Sequence, residues 1–237
     1  MAIDKNSNGY TFGFSIAMVV VVGTLLAVAS QGLKKRQDKN ASDKKMMSIL
    51  GAINVEASRD NAQKRFDTYV IDSLSKVISG KDIGVKSFDV DIKKEFRDKT
   101  LAAKDRNYPL YICEKDSNRY YVIPVIGSGL WGPIWGFVAL ESDYRTIYGA
   151  TFDHEKETPG LGAEIKQAFY SDQYTRELVA DTSGVFQPIV VVKDGSGSGL
   201  NSKVDGITGG TITSKGVEEM TTRTLEVYVN YFNSLNN

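Results

Sequence analysis

A segment near the C-terminus, VDGITGGTITSKGVEEM at residues 204–220, combines two adjacent glycines with four hydroxyl side chains. Gly209 and Gly210 permit a close backbone approach, and the hydroxyl groups lie where a following helix exposes its free amides. The four hydroxyl residues are Thr208, Thr211, Thr213 and Ser214. The free amides and the dipole of a helix N-terminus favour an anion such as a phosphate. The spacing equally fits a threonine cap after a glycine turn, so it permits a phosphate without requiring one.

The other chemically suggestive residues give weaker patterns. His154 is the only histidine, and carboxylates beside one histidine are a poor zinc pattern, so we expect it to form hydrogen bonds or stabilise a turn. No nucleophile elbow is present, and we predict no catalytic residue and no metal site. The loop GSGSGL has Leu200 where a dinucleotide fingerprint needs glycine, which favours a flexible connection.

Two aromatic residues and a cysteine complete the candidates. Trp131 and Trp135 flank GPI in GSGLWGPIWGFVAL, which fits either core packing or a wall for a planar aromatic ligand. Cys113 is the only cysteine, which excludes an intramolecular disulfide, a four-cysteine zinc site and a protein-ligated iron–sulfur cluster within this chain. It lies in the strand-like run YPLYICE, and we expect it to be buried.

The segment DGITGGTIT resembles the flavinylation motif Asp-x-x-Ser/Thr-Gly-Ala-Thr-x-Thr. That motif belongs to the FMN-binding domains in the NqrC subunit of the sodium-translocating NADH:quinone oxidoreductase and in its counterpart in the related Rnf complex. The resemblance implies that FMN is joined covalently, through its phosphate, to Thr213. It also implies that five more residues serve recognition by a flavin transferase and shape the phosphate turn: Asp205, Thr208, Gly209, Gly210 and Thr211. Gly210 replaces the usual alanine, one small residue for another.

Two further segments are similar to the same proteins. HEKETPGLGAEI resembles their segment with histidine followed by Glu-Thr-Pro-Gly-Leu-Gly, and GLWGPIWGFVAL resembles the strand entry before it. The resemblance implies that Trp131 is a wall of the flavin site, lined also by Glu157, Thr158, Gly160, Leu161 and Gly162. It implies an electron-carrier subunit of a membrane complex that passes NADH-derived electrons to quinone and moves sodium, with no complete active site in this chain. The alternatives are the Rnf counterpart, which exchanges electrons with ferredoxin, or a membrane-tethered scaffold in which Thr213 only caps a helix.

The N-terminus predicts a membrane anchor. Residues 6–33 carry no charge, and their apolar centre reaches the ~20 residues that a transmembrane helix needs. A cleaved signal peptide is the alternative, because Ala27 to Ala29 fit a small-x-small cleavage site. Basic residues follow the helix at Lys34, Lys35, Arg36, Lys39, Lys44 and Lys45. They would place the domain in the cytoplasm, whereas the resemblance implies a single-pass protein of the bacterial inner membrane with its FMN domain on the periplasmic side.

The rest of the chain predicts an α+β fold: a largely antiparallel sheet flanked by helices, preceded by one transmembrane helix. Helical spacing covers residues 44–56 and 61–79, with Gly80 closing the second helix. Strands flank turns at KDSN and at Ser142-Asp143, and a further strand, FQPIVVVKD, is predicted to be buried on both faces. Pro159, Gly160 and Gly162 predict a turn before a short helix. The last helix should pack on the sheet through Val217, Met220, Thr224, Tyr228, Tyr231 and Leu235.

The predicted division of the chain is residues 1–33 as anchor, 34–60 as a helical connector and 61–237 as the FMN-binding domain. Lysine plus arginine and aspartate plus glutamate both number 29, so no basic excess indicates a nucleic acid partner. The partners that the resemblance implies are the other subunits of the complex, a flavin transferase that uses FAD, and the lipid bilayer.

Overall fold

The fold was analysed in a computed structural model that describes residues 7–76, 85–102, 105–197, 199 and 202–235. It has two compact units, Met1–Lys44 and Lys45–Asn237. The second unit begins before the predicted domain start at residue 61, because Ile49, Leu50 and Ile53 are buried in its core. The predicted division at residues 33 and 60 stays a prediction.

The N-terminal helix α1 spans Asn8–Ala52. It contains an 18-residue stretch with mean hydropathy 2.4 of which none is buried, so among the described residues this helix is long and apolar enough to cross a bilayer. A signal sequence has the same properties, and cleavage therefore stays open. The predicted connector is helical only as far as Ala52, since Asn54 has a positive φ of 55° that ends the helix.

Five strands form the predicted antiparallel sheet in the order β1-β2-β3-β4-β5. Their bounds are β1 Val70–Lys76, β2 Tyr108–Lys115, β3 Asn118–Ser128, β4 Pro133–Leu140 and β5 Ile147–His154. The turn predicted at KDSN is confirmed: Asp116 and Ser117 both have positive φ, which matches the right-handed twist of a tight hairpin. Cys113 is buried in β2, as predicted.

Shorter elements surround this sheet. Among the described residues they include α2 Ala62–Tyr69, α3 Ile92–Arg97, α4 Ala168–Ser171, the 3-10 turns Ser87–Asp89, Gly162–Lys166 and Asp172–Tyr174, and the strands β6 Val190–Val192 and β7 Lys203–Asp205. The turn and short helix predicted after Pro159 are present as the 3-10 turn at Gly162–Lys166 followed by α4. The C-terminal helix α5 spans Thr211–Leu235 and begins within the glycine-rich motif.

Two secondary-structure predictions are wrong. The second helix ends at Tyr69, and the following residues form β1, because Val70 pairs with Cys113 at the edge of the sheet and this pairing overrides the helical spacing. Gly80 lies outside the described residues. The strand predicted in FQPIVVVKD is only β6; it pairs in parallel with β7, and Val190 is 39% exposed, so it is not buried on both faces.

The sheet has a hydrophobic cluster on each face. Helix α5 packs on one face through Val217, Met220 and Tyr228, and the last turns of α1 pack on the other. Each fully buried apolar side chain of this kind contributes about 1.5–3 kcal/mol. The predicted core face of α5 is confirmed except for its end, where Leu235 is 57% exposed. This packing fixes the N-terminus of α5 beside the end of β3.

Candidate functional site

The glycine-rich motif forms a tight loop between β7 and α5. The Gly210 amide donates to the Ile207 carbonyl (2.9 Å). The Ser214 amide donates the first helical hydrogen bond, to the Gly210 carbonyl (2.9 Å). Gly209 has a φ of 74°, and a Cβ there would lie 2.5 Å from the Leu161 side chain. The amides of residues 211–213 precede the first helical hydrogen bond, so the geometry of a helix N-terminus leaves them available to an anion.

The side chain of Ser214 stabilises this loop through two hydrogen bonds. Its buried hydroxyl donates to the Gly210 carbonyl (3.0 Å) and accepts from the Ile207 amide (3.0 Å). Tyr170 lies beneath it, and burial raises the pKa of Tyr170 to about 12, so the tyrosine stays uncharged at neutral pH. The Ser214 hydroxyl thus acts as both donor and acceptor in hydrogen bonds within the loop.

Thr213 has a different partner. Its side chain is 2% exposed, and its hydroxyl donates to Glu157 Oε2 at 2.5 Å. Glu157 is itself only 4% exposed, and its other oxygen, Oε1, accepts from the Trp131 amide at 2.8 Å. The Glu157 amide donates to His154 Nδ1 (3.2 Å), which confirms the predicted hydrogen-bonding role of His154. The loop after β5 thus supplies a fixed carboxylate to the first turn of α5.

Glycines make room for this carboxylate. A Cβ at Gly162 would clash with Thr213 Oγ1 and lie 2.5 Å from Glu157 Oε2, and a Cβ at Gly129 would lie 2.6 Å from Glu157 Oε1. Both distances are shorter than any ordinary contact. The hydroxyl and the carboxylate meet only because these two positions lack a side chain.

A cavity of about 360 Å³ opens over this pair. It is lined by Leu130, Trp131, Glu157, Thr158, Leu161, Gly162, Gly209, Gly210, Thr211, Ile212 and Thr213. Trp131, 62% exposed, lies outside the core, so the packing alternative for this residue is wrong. The volume lies within the usual range for small-molecule sites, about 300–1,000 Å³. Exposed apolar groups beside a helix N-terminus fit a ligand with a planar apolar part and a phosphate, which is the chemistry of FMN.

Three of the predicted site residues lie away from the cavity wall. The Asp205 carboxylate accepts from the Gly197 amide (3.1 Å). Thr208 is exposed at the loop tip. Gly160 has a φ of 75° and donates its amide to Glu164 Oε1 (2.8 Å), which shapes the turn that carries Leu161. Their roles in transferase recognition or flavin binding stay predictions.

Sequence reasoning missed two residues of the wall, Leu130 and Ile212. Both are exposed apolar side chains, 50% and 58%, adjacent in sequence to Trp131 and Thr213. The sequence did carry a signal for Ile212. It is an apolar residue between two motif residues at the start of a helix, and the helical spacing of the core residues leaves it outside the core. Among the described residues, the His, Cys, Asp and Glu side chains form no group suited to a metal ion.

The replacement of alanine by Gly210 has a structural consequence. A Cβ at this position would lie 2.9 Å from Ile207 Cβ and 3.0 Å from its Cγ2, both within the motif. We expect Gly210→Ala to lower the free energy of unfolding by about 1–2 kcal/mol, since overpacking outweighs the entropic gain from removing a glycine. Urea unfolding of both proteins measures this. A variant more stable than the wild type would show that the Ile207 side chain moves to accommodate the added methyl group without lowering the free energy of unfolding.

Comparisons with known proteins agree with this geometry. Residues 129–226 match the family model described as FMN-binding domain. A crystal structure of the NqrC subunit of Na(+)-translocating NADH-quinone reductase from Parabacteroides distasonis is 37% identical, with a TM-score of 0.74 over 83% of this chain and 95% of that one. The corresponding subunits of the same reductase from Vibrio parahaemolyticus and Yersinia pestis are each 28% identical, over 92% of this chain and 90% of theirs.

Proposed function

This chain belongs to the NqrC family of Na(+)-translocating NADH-quinone reductase subunits, and from that membership we propose that it carries FMN joined by a phosphoester to Thr213. It is an oxidoreductase subunit with an FMN-binding domain. The observation that carries the proposal is the Thr213 hydroxyl in the wall of the cavity, in the first turn of α5 and held by Glu157. The two hydrogen bonds of the Ser214 hydroxyl within its own loop favour Thr213 over Ser214 as the attachment point.

The cavity suggests how the chain would hold the cofactor. The amides of residues 211–213 would bind the phosphate, and Trp131 and Leu161 would contact the ring. FMN supplies reversible electron transfer when bound. The covalent link would prevent loss of the cofactor from an open site, while the surrounding side chains set its potential. The chain would then act as an electron carrier, with the nicotinamide site elsewhere in the complex.

The scaffold alternative requires Thr213 to be a helix cap. A capping side chain lies at the residue before the helix, and its oxygen accepts from an amide of the first turn. Thr213 instead is the third residue of α5, and its hydroxyl donates to a carboxylate. The geometry therefore favours a binding role for Thr213. The relatives from the Na(+)-translocating reductase favour this complex over the Rnf alternative.

The proposal includes partners and a location. The long apolar helix and the relatives from a multi-subunit reductase support a single-pass membrane protein that works with other subunits. We propose the bilayer of the bacterial inner membrane, maturation by a flavin transferase that takes FMN from FAD, sodium movement by the complex, and an FMN domain on the periplasmic side. The basic residues after α1 oppose this orientation, but the positive-inside rule is weak for large translocated domains.

Covalent FMN is the property that tests the proposed function. The full chain is expressed with and without a flavin transferase, denatured, and examined for flavin fluorescence after gel electrophoresis. We expect a fluorescent band and about one FMN per chain only with the transferase, because covalent attachment alone survives denaturation. A dark band, under conditions in which the Vibrio parahaemolyticus relative is fluorescent, would overturn the proposal in favour of a scaffold.

A further inference from the structure

The carboxylate of Glu157 is placed against the one atom that must react during flavin attachment. Its Oε2 lies 2.5 Å from Thr213 Oγ1 and accepts that hydroxyl's hydrogen. Both side chains are almost fully buried, and within the described residues Thr213 Oγ1 shows this single side-chain partner. A threonine hydroxyl is a weak nucleophile until a neighbouring base takes its proton. The contact therefore has the geometry of a nucleophile and its base.

Glu157 is also held in position at both its side chain and its backbone. The Trp131 amide donates to Oε1 (2.8 Å), and the Glu157 amide donates to His154 Nδ1 (3.2 Å). His154 Nε2 is buried and has no hydrogen-bond partner among the described residues, so the imidazole is anchored only through Nδ1. The absence of a Cβ at Gly162 keeps Oε2 and Thr213 Oγ1 in contact. A residue that only lined the site of the flavin ring would not need this fixed contact between its carboxylate and the Thr213 hydroxyl.

We propose that Glu157 is the general base for attachment of FMN to this chain. The inference rests on the proposed function, since it concerns the modification of Thr213 itself. It differs from the expectation that Glu157 only lines the flavin. It assigns the proton-accepting group to the acceptor protein, with the flavin transferase supplying the bound donor.

The step balances with a flavin adenine dinucleotide as co-reactant. Thr213 Oγ1 forms a bond to the phosphorus on the flavin side, and the phosphoanhydride bond to the adenylate breaks. Adenosine monophosphate leaves with the bonding electron pair, and the hydroxyl proton passes to Glu157 Oε2. No oxidation or reduction occurs. The neutral carboxylic acid then has a hydrogen to donate to the ester oxygen, which no longer carries one of its own.

The test compares initial rates of FMN transfer to the purified full chain, with excess transferase and FAD, by intact-protein mass. Glu157→Gln keeps the size of the side chain but removes its basicity, and we expect a rate at least about 100-fold lower, the usual scale of general-base catalysis. Its KM for FAD is expected to stay unchanged. Glu157→Asp keeps the carboxylate but withdraws it by one methylene, so we expect a rate below that of the wild type, by up to about 100-fold. Glu155→Gln, an exposed carboxylate on the same loop, is the matched control and should react like the wild type.

The outcomes separate this inference from the proposed function. A Glu157→Gln rate close to that of the wild type would overturn the base assignment while leaving FMN on Thr213 intact. A Glu157→Asp rate equal to that of the wild type would do the same, because a base that acts through its 2.5 Å contact with Thr213 Oγ1 cannot be withdrawn by one methylene without loss of rate. The aspartate comparison with the wild type stands even if the glutamine variant does not fold. A wild-type chain that accepts no FMN would instead overturn the proposed function.

Discussion

Thr213→Ala is expected to abolish covalent FMN attachment completely. The variant lacks the oxygen that forms the phosphoester, and Ser214, the adjacent hydroxyl, is bound to the Gly210 carbonyl and the Ile207 amide inside the loop. The fold should persist with a cost of about 1–3 kcal/mol, because Glu157 Oε2 loses its buried donor. In-gel flavin fluorescence and intact mass after co-expression with the transferase measure attachment, and thermal unfolding measures the fold.

Two variants control for this result. Thr222→Ala removes a hydroxyl from the same helix outside the motif, one with no hydrogen-bond partner among the described residues, and should accept FMN like the wild type. Thr213→Ser keeps a hydroxyl at the site and should retain attachment at a reduced rate, since serine has more rotamers than threonine. FMN on the folded Thr213→Ala protein would show that another residue carries it.

Gly162→Ala is expected to slow FMN attachment about as much as loss of the Glu157 carboxylate. The added Cβ would clash with Thr213 Oγ1 and lie 2.5 Å from Glu157 Oε2 and 3.0 Å from Thr213 Cβ. The substitution therefore separates the hydroxyl from the carboxylate, and we expect attachment to slow by about 100-fold, as for loss of a positioned base. Overpacking of this kind should also lower the free energy of unfolding by about 1–3 kcal/mol.

Gly132→Ala is the matched control for this substitution. Its Cβ would meet only Glu155 Cβ, at 3.9 Å, which is an ordinary contact in the neighbouring loop. Attachment rates for the two alanine variants, measured well below their unfolding temperatures, separate a local effect from a general one. Equal rates for Gly162→Ala and the wild type would mean that the contact between Glu157 and Thr213 is dispensable.

Much of the fold could be predicted from local pattern. Alternating apolar residues and the two-residue turn at Asp116 and Ser117 identified the central hairpin, because strand period and positive-φ turn chemistry are local properties. The β1 strand was missed because its formation depends on pairing with β2, a segment distant in the chain that begins only at Tyr108. The spacing of apolar residues within one segment gives no information about a distant strand that pairs with it. A strand was predicted in the segment that contains β6, but its parallel pairing with β7 was missed for the same reason.

The site divides in a similar way. Thr213, Glu157 and Trp131 were identified through resemblance to known motifs, and the structure brings their segments to one cavity. The hydrogen bond between Thr213 and Glu157 could not be predicted, since the two residues lie 56 positions apart in sequence. Only the docking of α5 against β3 and the turn after β5 brings them together. The different hydrogen-bond partners of Ser214 and Thr213 likewise depend on the three-dimensional path of the loop.

The most direct test of the central claim is tandem mass spectrometry of the tryptic peptide VDGITGGTITSK, residues 204–215, from protein co-expressed with a flavin transferase. The peptide contains all four candidate hydroxyls, Thr208, Thr211, Thr213 and Ser214, so its fragment ions locate the attachment atom. We predict the mass of FMN less one water on Thr213 alone. FMN on any of the other three residues, or an unmodified peptide from cells that flavinylate a related NqrC protein, would contradict this prediction.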